Sequence, residues 1–69
     1  MLKDFENRLV ERYKNYLVYY DLHKCNPRSS TAGHLQEISW ILHELFGYTD
    51  KDVNKIEAEV KEEIERNRH

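Results

Sequence analysis

Apolar residues recur at every third or fourth position along this chain, and three separate stretches carry that rhythm. The first predicts a helix over about residues 2–20. At roughly 100° per residue, Leu2, Phe5, Tyr13, Tyr16 and Tyr20 all fall within about 40° of Leu9. Val10, Leu17 and Tyr19 widen that stripe to about half the helix surface, opposite Lys3, Asn7, Glu11, Lys14 and Asn15. So broad an apolar face suits a helix that touches two neighbours at once. Val18 falls outside the stripe, and the segment that follows is expected to cover it.

The rhythm breaks over Cys25-Asn26-Pro27-Arg28-Ser29-Ser30-Thr31, the one polar, turn-rich stretch of the chain. A second helix is expected over about residues 32–46, with Ser30 or Thr31 as the N-cap. Leu35, Ile38, Ile41, Leu42, Leu45 and Phe46 form its apolar face, and Gly47 follows as a C-cap glycine should. Trp40 stands apart, roughly 200° from Ile38 and beside Gln36, Glu37, His43 and Glu44.

A third helix, over about residues 50–66, opens on Thr49-Asp50-Lys51-Asp52, which has the form of a capping box with Asp in place of Glu. Val53, Ile56, Val60 and Ile64 make a narrow seam that can contact one surface only, and the rest of the helix is charged. Connections of about ten and three residues join the three helices. The fold expected is therefore all-α, a three-helix antiparallel bundle in a single domain over residues 1–69.

Length changes the picture next. A chain of 69 residues hides only about 60% of its unfolded surface, so its core is marginal. Disulfides cannot supplement it within a monomer, because Cys25 is the only cysteine. Regular helix packing, self-association or a metal is left, and a homodimer is the expected form. No run approaches the ~18 apolar residues of a membrane span, and a cytoplasmic location is the default.

Charge gives a weaker guide. The 11 basic and 13 acidic residues leave a net of −2, opposite in sign to most nucleic-acid binders of this size. The balance is uneven: residues 1–34 carry +2 and residues 35–69 carry −4. If the chain contacts DNA, Arg8, Arg12 and Lys14 on the first helix are the candidates, as in a small dimeric transcription regulator. The third helix presents too many glutamates to approach phosphate.

Candidate chemistry is sparse. His23, Cys25, His34 and His43 are the residues that suggest a metal, yet their spacing matches no zinc pattern. His34 and His43 also lie about 180° apart on one helix. Cys25 stands in a loop with no groups to build an oxyanion hole, and Ser29-Ser30-Thr31 lacks the glycines and lysine of a P-loop. No catalytic residue, cofactor or metal is expected, and the chain is read as a non-enzyme.

The aromatic content is the informative anomaly: eight residues are Phe, Trp or Tyr, five of them tyrosines. Tyrosine offers a large contact area with a polar tip, which suits surfaces buried on association. Tyr16, Tyr19, Tyr20, Trp40 and His43 are accordingly the residues expected to bind a protein partner. The opposing possibility is that the tyrosines complete a monomeric core and that Trp40 lies beneath the 21–31 segment. The functional expectation is a self-associating, regulator-like binding module, of the kind small phage-like proteins supply.

Overall fold

The computed structural model describes residues 2–67, which form three helices and no strand. These are α1 (Leu2–Leu22), α2 (Ser30–Phe46) and α3 (Asp50–Arg66). The predicted all-α three-helix bundle is what the chain adopts, with α1 packed against both α2 and α3. That double contact is the reason its apolar stripe spans half the helix.

Local chemistry sets the helix ends. α1 runs two residues beyond the expected Tyr20 and closes in a Schellman motif. Lys24 N–H bonds the Asp21 carbonyl at 3.2 Å and Cys25 N–H bonds the Tyr20 carbonyl at 3.0 Å. This closure requires the left-handed conformation at Lys24 (φ 47°), where glycine is the usual residue. A turn then follows: Asn26 accepts from Ser29 N–H through its carbonyl and from Arg28 N–H through Oδ1, with Pro27 fixing the first corner.

That turn corrects the expected N-cap of α2. Ser29, not Ser30 or Thr31, adopts the extended cap conformation and accepts from Ala32 N–H through Oγ at 3.3 Å. The α1–α2 connection shrinks to residues 23–29, shorter than the ten residues expected. Thr31 lies buried in the first turn of α2 instead of preceding it, next to the buried Ala32.

The α2–α3 connection follows the sequence closely. Gly47 is left-handed (φ 70°), and its N–H bonds the His43 carbonyl at 3.2 Å. Thr49 and Asp52 form the complete capping box: Asp52 N–H donates to Thr49 Oγ1 at 3.2 Å and Thr49 N–H to Asp52 Oδ2 at 3.0 Å. The Asp52 carboxyl also accepts from the Thr49 hydroxyl at 3.1 Å, and the Thr49 N–H foremost, then this hydroxyl, hold it below the usual carboxylate range.

The core is Leu9 and Tyr13 of α1, Ile38 and Leu42 of α2, and Val53 and Ile56 of α3. Val60 is buried beyond it. Three residues expected inside are not. Leu45 is 67% exposed, Phe5 47% and Leu2 76%. The physical reason is that Phe5 and Leu45 face the side of the α1–α2 hairpin that α3 leaves uncovered, while Leu2 stands at the first residue of α1. Val18 is half-buried along a groove with Tyr48 and Val60, so α3 and the α2–α3 turn shelter it, not the loop.

Two tyrosines fasten α3 and its turn to α1. Tyr13 donates to Glu57 Oε1 at 2.7 Å, and Tyr48 donates to Glu6 Oε2 at 2.7 Å. Burial, reinforced by the neighbouring carboxylate in each case, raises both phenols above their ordinary range, Tyr48 to about 12.

Candidate protein-interaction face

The side of the α1–α2 hairpin away from α3 is built from two helix rows. A shallow groove between them is lined by Arg12 and Tyr16 of α1 and by His34, Glu37, Ile38 and Ile41 of α2, with no residue of α3. Tyr16 stacks on His34 at 5.0 Å and 13° in this groove. At one end Phe5 meets Phe46 with ring centroids 6.1 Å apart, and Leu2 and Leu45 lie exposed beside them. At the other end Tyr19 is 50% exposed and rests on His23 at 4.2 Å.

Trp40 borders this face. It is 63% exposed, so the 21–31 segment does not cover it. On α2 it shares a flank with Glu37 and Glu44, one turn before and after, and stands next to Ile41.

The five residues expected to bind a partner therefore separate. Tyr16, Tyr19 and Trp40 belong to the face or its rim. Tyr20 is half-buried and lines the opposite groove, between α2 and α3, together with Tyr13, Leu35 and Val53. His43 also turns toward α3, where Nε2 lies 3.3 Å from Asp50 Oδ1. Phe5, Ile41 and Leu45 join the face unannounced by the sequence pattern. Their apolar spacing resembles that of core residues, and only the position of α3 shows which apolar positions go uncovered.

The candidate DNA-contacting cations separate as well. Arg8 and Arg12 lie on the flank of α1 that borders the open face, while Lys14 is half-buried along the grooves beside α3 with Val10 and Tyr48. Three cations on one helix thus do not make one cationic surface. Of the suggested metal ligands, His34 is stacked on Tyr16, His43 pairs with Asp50, and Cys25 lies half-buried in the connection. Among the described residues no three metal-binding side chains converge. No helix among them is long and apolar enough to cross a membrane.

Comparison with known proteins finds no matching family model, no similar curated protein and no similar solved structure.

Proposed function

We propose that this chain is a small helical protein-interaction module that acts by binding, and so regulating, a protein partner through the open side of its α1–α2 hairpin. One observation carries the reading: Phe5 and Leu45 are large, apolar and exposed on the open side of the hairpin, and Trp40 stands exposed on the flank that borders it. Aromatic residues presented this way are the usual anchors of binding hot spots, each contributing about 2 kcal/mol or more when buried on association. The surrounding Arg12, Glu37 and Glu44 supply the polar rim such surfaces carry.

The test is an affinity capture with the native chain and with Trp40→Ala and Leu45→Ala variants side by side, paired with thermal melts. The expected result is weakened capture by at least roughly tenfold in each variant, with melting temperatures close to native. Variants that melt early but bind normally would make these residues ordinary structural ones and end the proposal.

A further inference from the structure

The open face is patterned by charge as well as by exposure. At roughly 100° per residue, Arg8, Arg12 and Tyr19 fall within about 40° of one another on α1, on the flank turned away from α3. On α2, Glu37 and Glu44 fall within about 20° of one another, beside Trp40 and Ile41. Arg8 and Arg12 thus make one row cationic beyond Asp4, which stands one turn before Arg8, and Glu37 and Glu44 make the other anionic. Among the described residues none of these four charges is in an ion pair, and the His43 Nε2–Asp50 Oδ1 contact lies on the other side of α2.

The ring contacts fix the level of one row against the other. Phe5 lies beside Phe46 and Tyr16 beside His34, so each step up α1 is one step down α2. On that scale Arg8 is level with roughly residue 43, Arg12 with roughly residue 39 and Tyr19 with roughly residue 32 of α2.

We infer that the occupant of this face is a second copy of the chain, related by a two-fold axis parallel to the helices; this rests on the binding-module reading and names its partner. Such an axis preserves level and exchanges the rows, laying each α1 antiparallel across the other copy's α2. Arg8 then meets Glu44 and Arg12 meets Glu37, twice each, as a self-complementary interface demands. Phe5 meets Leu45 at one end of the resulting four-helix layer, next to the Phe5–Phe46 contact. Tyr19 comes down over Gly33, where an added Cβ would find nothing within 4 Å and the helix surface is bare. The alternative axis, which lays α1 on α1, sets arginine against arginine and glutamate against glutamate.

The dimensions suffice. Two helices, each about 10 Å across, with the 17 residues of α2 rising about 1.5 Å each, present roughly 500 Å² in projection. With the corrugation of side chains this approaches the ~800 Å² per partner of a stable interface.

Sedimentation of the full chain and of two exposed-charge variants tests the inference. The native chain is expected to sediment at twice its 8.4 kDa mass at about 100 µM. Arg8→Glu/Arg12→Glu and Glu37→Arg/Glu44→Arg are each expected to weaken the dimer by about a hundredfold or more, with native helical dichroism retained. Mixing the two variants should restore a dimer, because reversed rows again face opposite charge. A native chain that stays monomeric overturns the inference, as do reversed variants that dimerise like the native chain or a mixture that stays monomeric. A monomeric native chain that still captures another protein through Trp40 and Leu45 overturns the self-pairing alone and leaves the binding-module reading standing.

Discussion

The two long sides of the α1–α2 hairpin are finished differently. On one, α3 lays Val53, Ile56 and Val60 against α1, and two tyrosine–carboxylate bonds tie it down. On the other, Phe5, Ile41 and Leu45 form a comparable apolar line with no described part of the chain over it. Both sides obey the same periodicity, so a helix wheel cannot tell them apart. The difference lies in what covers them: one cover is encoded 17 residues long in the same chain, and no described residue supplies the other.

The sharpest way to break this comparison uses two leucines one turn apart on α2. Leu42 is fully buried, and Leu42→Ala should cost about 2–5 kcal/mol, enough to unfold much of a domain this small. Leu45→Ala should change the stability of the single chain by less than about 0.5 kcal/mol in a denaturant titration at low concentration. Equal losses would mean that the open side is closed after all.

Next in size is the start of α3. Thr49→Ala removes the hydroxyl that accepts from Asp52 N–H and should lower stability by about 1 kcal/mol. The same box makes stability fall in acid. The folded Asp52 pKa is depressed, so its contribution is present above the ordinary aspartate pKa of about 4 and is lost as pH drops through the lower folded value. A pH titration of the native chain from 5 to 2 should show a larger stability loss than one of Thr49→Ala.

Alkali probes the tyrosine ties of the covered side. Both phenols titrate higher folded than unfolded, so their contribution is intact below about pH 10 and declines above it, for Tyr48 over the interval up to about 12. Tyr48→Phe should flatten that decline while lowering neutral-pH stability by about 1 kcal/mol or less. An unchanged alkaline profile would show that the Glu6 bond does not hold the α2–α3 turn.

The smallest effect should be of opposite sign. Lys24 is left-handed at the end of α1, and Lys24→Gly relieves that strain. A melting temperature raised by a few degrees, equivalent to up to about 1 kcal/mol, is expected; a fall would mean that the lysine side chain holds the turn.

Much of this architecture was legible in the residues. The three helices, the Thr49–Asp52 box and the Gly47 cap follow from local chemistry, and local chemistry is printed in the chain. Trp40 on the polar flank of α2 was equally readable. What escaped is what depends on neighbours. Three consecutive hydroxyl residues are equivalent N-caps until the Asn26–Ser29 turn selects Ser29. Lys24 carries no sign of a left-handed backbone. Tyr13–Glu57 and Tyr48–Glu6 join residues more than 40 positions apart, and no spacing rule reaches that far. Phe5 and Leu45 read as interior because apolar spacing marks a face without counting how many partners will meet it.

The narrow seam of α3 has a mechanical consequence. Its close approaches are to α1 and few are to α2, from which a groove of about 540 Å³ separates it. It is held like an outrigger from a single spar, joined to α2 by the short turn at Gly47. The least expensive excursion from the native state is therefore for α3 to swing away while the hairpin stays paired, which places the earliest amide exchange in the chain's last third.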